Sequence, residues 1–385
     1  MNITLRNFVL KKNVLKKDFI KKKLKNLLNS ENQILASCKK SYKDSYTKKL
    51  LLRFNKKKQI TLIGMGGSIL GAKAIYKFLN PKQKKFLFVD GYSYDLEKKI
   101  DKKNVNLIIS KSGNTLETIS NSNILINPKQ KNIFLTENKK SFLMDLANQL
   151  KSEVVHHNNF IGGRYSVLSE VGMLPAELMG FKPEKFRRLN LLIKNKVFLN
   201  SLVQSVSSIL QLIKNKKFNS VILNYDEKSD DLFKWYQQLV AESLGKNGKG
   251  VFPVVSNMPR DNHSLMQYYL DGAKNQFFTF FFVKEKTNKK LKNNQFFKSH
   301  IYLKEKRLSD IAFSQFIATE NIFKIKKIPY RSFVIKNRNE EALGEMFTFF
   351  MLETIILGQA MKVNPFNQPS VELIKKETIK VLINS

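Results

Sequence analysis

The chain has 385 residues, enough for two core-forming domains, and its 42% hydrophobic content is that of a folded globular protein. Its charge is less ordinary: 68 Lys and Arg against 31 Asp and Glu give a formal net charge of +37, which points towards an anionic partner such as nucleic acid, a membrane surface or a small anion. The basic residues are scattered along nearly the whole length, and Asn and Ile are also abundant, so the excess reads as compositional bias. No zinc-finger spacing, leucine-zipper heptad or RNP-like aromatic motif accompanies it, and no specific nucleic-acid partner is expected. Cys38 is the only cysteine, which excludes an intramolecular disulfide, and the four histidines lack metal-ligand spacing, so no metal is expected. No apolar run approaches the ~20 residues of a membrane span. The expectation is a soluble, cytoplasmic protein with no membrane partner.

In chain order, residues 1–50 read as a helical N-terminal extension, opening with the basic amphipathic stretch MNITLRNFVLKKNVLKKDFIKKKLKNLL, which lacks the continuous apolar core of a signal peptide. The pattern changes at QITLIGMGGSILGAKAIYKFL, where a short apolar run passes through a glycine-rich turn into helical periodicity. Apolar runs recur at KFLFVD, NVNLIIS, NIFLTE and EVVHH with helical stretches between several of them, which predicts right-handed βαβ units and a parallel sheet over residues 51–185. Residues 186–214 read as helical. Alternation then resumes with NSVILNY, FFTFFFVKE and SFVIKN, and the longest helix spans about 340 to 361, giving a second α/β half over residues 186–362 and a helical tail over 363–385. The predicted class is α/β, with two halves that are each a mainly parallel sheet between helices.

The chemistry-bearing motifs sit at the turns. GMGGSILGAK (64–73) feeds a strand through glycines into a helix, which offers free backbone N–H groups and the positive end of a helix dipole to an anion, with Ser68 at the helix start. Neither the dinucleotide fingerprint nor the Walker A pattern fits, since Ile69 and Ala72 stand where a glycine and a lysine belong; a tight turn needing small residues is an equal reading. SKSGNTLET (110–118) repeats the arrangement after the next strand but one, with hydroxyls from Ser110, Ser112 and Thr115 and a cation from Lys111 that suit a phosphate monoester. IGGRYSVLSEVGMLP (161–175) sets Arg164 directly after a glycine pair, where a guanidinium would neutralise an oxyanion or simply lie on a loop. In YQQLVAESLGKNGKG (236–250), Gln238 precedes Glu242 by four residues, so an amide and a carboxylate share one helix face. By itself that pair reads as a solvated acid on a surface helix. DNHSLMQ places His263 beside Asp261 before a helix, and NPFNQPSVELIKK leads into a helix with Gln368 and Lys375; a cap and a charged surface helix are the plain readings.

The order of these motifs is specific where each alone is weak. GMGGS, SKSGNT, GGRYSVLS, AESLGKNGKG, DNHSLMQ and NPFNQPSVE in that succession resemble the glucose-6-phosphate isomerase family, from about Gly64 to Lys375. The first two alone match only the wider sugar-isomerase (SIS) domain superfamily. The resemblance implies two SIS domains and a homodimer with shared active sites. It also implies a cofactor-free aldose–ketose isomerisation of glucose 6-phosphate and fructose 6-phosphate through a cis-enediol, serving glycolysis and gluconeogenesis. A bifunctional phosphoglucose/phosphomannose isomerase and a non-catalytic sugar-phosphate-binding regulator are the alternatives. Carried over residue by residue, Glu242 is the base, and His263, from the neighbouring subunit, and Lys375 assist ring opening. Arg164 stabilises the enediolate. Ser68, Ser110, Lys111, Ser112 and Thr115 clamp the phosphate, while Gly163, Gln238 and Gln368 line the sugar. Glu170, Asn367 and Ser370 depart from the residues the family commonly has at those positions.

Overall fold

The computed structural model describes residues 1–8, 10, 17–55, 59–82, 84–92, 104–285, 290–292 and 295–384. The strands among them are β1 (Ile3–Arg6), β2 (Gln59–Gly64), β3 (Lys85–Val89), β4 (Val105–Ile109), β5 (Lys131–Thr136), β6 (Glu153–His156), β7 (Asn219–Asn224), β8 (Phe252–Asn257), β9 (Gln276–Val283) and β10 (Tyr330–Ile335). They form two five-stranded sheets, β3-β2-β4-β5-β6 and β1-β10-β9-β7-β8. Every pairing is parallel except that of β1 on β10. Strands covered by helices on both faces are continuous apolar runs, and all five residues of β4 and all eight of β9 are buried. The class is therefore α/β with two mainly parallel sheets flanked by helices, as the alternation of runs predicts.

The N-terminus departs from expectation. Instead of one amphipathic helix, Ile3–Arg6 is an edge strand and the helix is Lys17–Asn29, which buries Ile20, Leu24 and Leu27. Residues 9 and 11–16 of that predicted helix lie outside the described residues. The period-2 pattern of I-T-L-R, with Ile3 buried and Thr4 and Arg6 exposed, fits a strand that covers the open edge of β10. Lysine-rich helical periodicity further on hides this short signal. β8 is not expected either, because Pro253 interrupts its run; as the other edge strand it bonds only to β7, and an edge tolerates proline. The predicted helix over 186–214 is instead three pieces, Pro183–Phe186, Leu189–Leu192 and Lys196–Lys214, the last opened by Asn195, whose side chain accepts from Phe198 N at 3.0 Å. Lys196–Lys214 is long and apolar enough to cross a membrane by length and composition, and 56% of that stretch is buried within the protein, where it packs on Lys17–Asn29 and Glu340–Ala360.

Strand order creates a crevice in each sheet. In the first, β3 lies to one side of β2 and β4 to the other, so the chain reverses direction of winding between β2 and β4; ligands bind beyond the carboxyl ends of strands at such a point. GMGGS and SKSGNT leave those two strand ends. The second sheet has the same reversal between β7 and β9, and there Arg338 bonds Asp226 Oδ1 at 2.7 Å and Glu285 Oε2 at 3.1 Å. At the second, the strand-end residues Asp226 and Glu285 are tied together by that arginine.

The helix Glu340–Ala360 runs through the middle, buried without interruption from Ala342 to Gly358. Its Glu353 is paired with Arg331 of β10, whose Nη2 lies 3.0 Å from Oε2, and Ser205 Oγ donates to Oε1 at 2.6 Å. Both side chains are almost fully buried. Removing one partner leaves an uncompensated charge, so Arg331→Met should lower stability by about 3–5 kcal/mol. The double variant Arg331→Met with Glu353→Leu should recover most of the loss. Urea midpoints of the wild type and the two variants measure both effects.

Candidate active site

The base of the site is a contact between glycines. Gly67, in the turn Gly66–Ser68 after β2, lies so close to the turn Gly163–Leu168 that a Cβ added to it would sit 2.1 Å from the carbonyl carbon of Gly163. No side chain fits at Gly67, so the GMGGS turn meets the GGRYS turn with bare backbone at that point. Gly66 has φ +52°, and a Cβ on it would lie 2.7 Å from Nε2 of Gln238. The two turns are thereby pressed against the helix Asp230–Leu244, which also packs along Leu70–Leu79.

That approach delivers Arg164 to the last turns of Asp230–Leu244. Its guanidinium has five N–H donors, and the structure gives it five acceptors. Nε donates to Ser243 Oγ at 2.8 Å, Nη1 to Glu242 Oε2 at 3.1 Å and to Gln368 Oε1 at 2.8 Å, and Nη2 to the carbonyls of Pro365 at 2.7 Å and Asn367 at 3.2 Å. The Arg164 side chain is 2% exposed, whereas that of Glu242 keeps 28% of its surface open. Gln238 Nε2 donates to the other oxygen of Glu242 at 2.8 Å. The Oε1 of Gln238 is buried with no hydrogen-bond partner among the described residues, an acceptor available to a hydroxyl. A carboxylate clasped by a cation and an amide, with one face accessible, can exchange a proton with a carbon held against it.

The proposed phosphate groups lie at the neighbouring strand end. Ser110 is buried and its Oγ shares a 2.8 Å hydrogen bond with Thr115 Oγ1, which leaves Thr115 not capping the helix Leu116–Leu125 that follows. Ser112 is exposed, its Oγ accepting from Asn114 N at 3.2 Å. Ser68 ends the Gly66–Ser68 turn, half-buried. Lys111 stands beside the hydroxyl pair: its Nζ donates to Asn159 O at 2.8 Å and lies 3.4 Å from Glu137. Burial pushes the Glu137 carboxyl up, but Lys139 and Lys111 outweigh it and hold it below the usual carboxylate range. A hollow of about 400 Å³ lies on the far side of Lys111, between residues 31–34 and Asn159, Phe160, Gly162, Tyr165 and Phe366; none of the four hydroxyls lines it. The larger hollow of about 530 Å³, between Arg6, Leu212, Lys324 and Tyr330, lies at the amino-terminal end of the second sheet, away from these motifs.

Two expected residues stay outside the cluster. His263 is exposed just after the turn Arg260–Asn262 and makes no hydrogen bond or ion pair with Arg164 or Glu242 among the described residues. Lys375 lies on the helix Pro369–Asn384, none of which is buried, and pairs with Glu372 at 2.7 Å. The departures from the family pattern have local accounts. Buried Glu170 accepts from Asn158 N at 2.6 Å and Tyr42 OH at 2.9 Å, holding the 157–160 segment whose Asn159 carbonyl meets Lys111. Asn367 serves Arg164 through its backbone, so its side chain is not what the contact requires. Ser370 is exposed.

Sequence reasoning missed several supports. Ser243 accepts from Arg164 and bonds the Tyr165 hydroxyl at 2.8 Å, and burial pushes that phenol up, keeping it a donor. Trp235 Nε1 donates to Arg164 O at 3.1 Å. Its spacing of seven before Glu242, on one helix face, was a usable signal in a chain with a single tryptophan.

The family model described as phosphoglucose isomerase matches residues 52–384. The glucose-6-phosphate isomerase of Methanocaldococcus jannaschii is 32% identical over 343 residues, 82% of each chain. That of Mycoplasmopsis pulmonis is 32% identical over 84% of this chain and 82% of its own. Among solved structures, a hypothetical protein of Thermus thermophilus superposes with a TM-score of 0.84 at 23% identity over 95% of both chains. A glucose-6-phosphate isomerase of Chlamydia trachomatis does so with a TM-score of 0.69 at 18% identity, over 91% of this chain and 77% of its own; these two likenesses speak to the fold. On a family match that spans most of its length and relatives above 30% identity across four-fifths of both chains, this chain belongs to the phosphoglucose isomerase family.

Proposed function

We propose that this chain is an aldose–ketose isomerase that interconverts glucose 6-phosphate and fructose 6-phosphate, with Glu242 as the base. The observation that carries the reading is the Glu242 carboxylate held between Arg164 and Gln238 with part of its surface open. In the open-chain aldose, Glu242 takes the proton from C2; the electron pair of that bond forms the C1–C2 double bond and the aldehyde oxygen becomes an enediolate oxygen. The C2 hydroxyl proton passes to the C1 oxygen, and return of the carbon-bound proton from Glu242 to C1 then leaves a hydroxyl on C1 and the carbonyl at C2. The carbon acid is weak, so the anion needs a fixed cation within reach, and Arg164 supplies one without reorganising. Ser68, Ser110, Ser112 and Thr115, with Lys111 and the amino end of Leu116–Leu125, hold the phosphate. Gly163, Gln238 and Gln368 line the sugar.

Ring opening falls to Lys375 and to the partner subunit's His263. The chain acts as a homodimer of two-domain subunits, with domains of residues 51–185 and 186–362, in the cytoplasm. Support for the dimer comes from the helix Pro369–Asn384, which carries Leu373 at 68%, Ile374 at 72% and Ile383 at 77% exposure and buries nothing on its own subunit. Such a row of exposed aliphatic residues fits a partner surface.

Two measurements test this reading. In a coupled assay with purified protein, Glu242→Gln should cost about 10²–10⁴-fold in kcat, the range for loss of a general base, while binding of substrate persists; a variant as fast as wild type removes Glu242 from the role. Mixing inactive Glu242→Gln and His263→Ala proteins after subunit exchange should restore about a quarter of wild-type activity, because half the dimers are mixed and each mixed dimer has one intact site under two-fold symmetry. Activity that stays at the level of the separate variants rules out a shared site.

A further inference from the structure

Four residues beyond Glu242 the chain makes a tight turn. Lys246 N donates to Lys249 O at 3.1 Å and Lys249 N to Lys246 O at 2.9 Å, across Asn247 and Gly248, both left-handed at φ 53° and 67°. The turn fixes the backbone of Lys246, and its side chain folds back. The Nζ donates to Ser243 O at 2.9 Å, one of the free carbonyls ending the helix Asp230–Leu244, and to Asn364 O at 2.6 Å. The first bond is ordinary helix capping by a lysine. The second is not, since it reaches 118 residues along the chain to the start of the 364–368 turn. That same turn supplies the Pro365 and Asn367 carbonyls and the Gln368 amide oxygen to Arg164. Two cations from different elements therefore hold it.

The charged and titratable groups around Lys246 are few. Arg164 faces it from the GGRYS turn, Glu242 from its own helix and the protonated phenol of Tyr165 shares the Pro365 carbonyl. Residues 364–368 bring no titratable side chain, and Lys249 Nζ turns to Met361 O at 3.4 Å. Burial, reinforced by Arg164 and opposed by Glu242, brings the Lys246 ammonium down to about 8.

On the reading that Glu242 is the base, we propose that Lys246 is a positioning residue for the isomerisation. Its ammonium clips the 364–368 turn to the end of the base-bearing helix and so sets Gln368 beside Glu242 on the Arg164 guanidinium. A charged donor holds a carbonyl more strongly than a neutral amine. The clip is therefore intact below about pH 8 and weakens above it.

The test compares wild type, Lys246→Met and Lys246→Arg by kcat and KM from about pH 6 to pH 10, with circular dichroism melts of each. Lys246→Met should lose roughly ten- to a hundredfold in kcat, the cost of slight misplacement of reacting groups, with KM changed by less than about threefold. Lys246→Arg should recover most of that rate, because a permanently charged guanidinium also offers donors to both carbonyls. The wild-type alkaline limb near pH 8 should disappear in the Arg variant. A Met variant with wild-type kcat, an Arg variant no better than Met, or an alkaline limb unchanged in the Arg variant each overturns the proposal; if the Met variant does not fold, the rate and pH profile of the Arg variant decide. A wild-type chain without turnover, or Glu242→Gln as fast as wild type, overturns the functional reading and this inference with it.

Discussion

The guanidinium of Arg164 is the interaction on which the site depends. Taking a cation out of water costs several kcal/mol unless every donor is matched, and here all five are, by acceptors from the helix Asp230–Leu244 and the 364–368 turn. The match reaches 204 residues along the chain, from Arg164 to Gln368. A lysine could not replace it, since an ammonium has three donors and no planar fork. The requirement propagates outward. The turn that carries Arg164 lies against Gly67, whose missing Cβ lets the two turns touch, and the Arg164 carbonyl is held in turn by Trp235 from the helix that bears Glu242.

The two halves divide the labour through their ionic contacts. Both sheets wind outward from an inner strand and both create a crevice at the carboxyl ends of their strands. In the second half Arg338 bonds Asp226 and Glu285 at the strand ends and the Phe78 carbonyl of the first half. The second half joins the polar cluster through the helix Asp230–Leu244, which carries Gln238, Glu242 and Ser243.

Much of the fold was legible because parallel strands buried on both faces are conspicuous: VNLII, NSVILN and QFFTFFFV are runs that admit few other readings. What escaped was marginal by nature. β1 is four residues long and alternates, and its neighbourhood is dominated by lysines that mimic an amphipathic helix. β8 contains a proline that only an edge position explains, and edge position is a property of the sheet, not of the segment. The break at Asn195 was visible in principle, as an amide three residues before the Phe198 N–H it caps, but a capping residue inside an apolar run reads as one more polar face position. At the site, the Gln238–Glu242 pair follows from helical spacing. Its convergence with Arg164 does not, because nothing local ties residue 164 to residues 242 and 368; the succession of motifs had to supply it. Ser243 and the carbonyls of Pro365 and Asn367 carry no residue-type signal at all.

The lysine-rich composition itself carries information once the arginines are set apart. There are nine arginines among 68 basic residues. Arg164, Arg187 and Arg331 are buried, and each meets a carboxylate: Arg164 on Glu242, Arg187 on Asp44 at 2.6 and 2.9 Å, and Arg331 on Glu353. Arg338 joins Asp226 and Glu285, and Arg6 places one nitrogen on both oxygens of buried Glu320. At Arg164, Arg187 and Arg331 the planar fork with several donors is used in full, which a point charge could not do. Most lysines lie towards solvent, while acids such as Glu170, Glu320, Glu345 and Glu353 are drawn inside. The outer surface is thus positive, and a dianionic phosphate ester approaching the crevice of the first sheet moves down its potential, which raises encounter rates at low ionic strength.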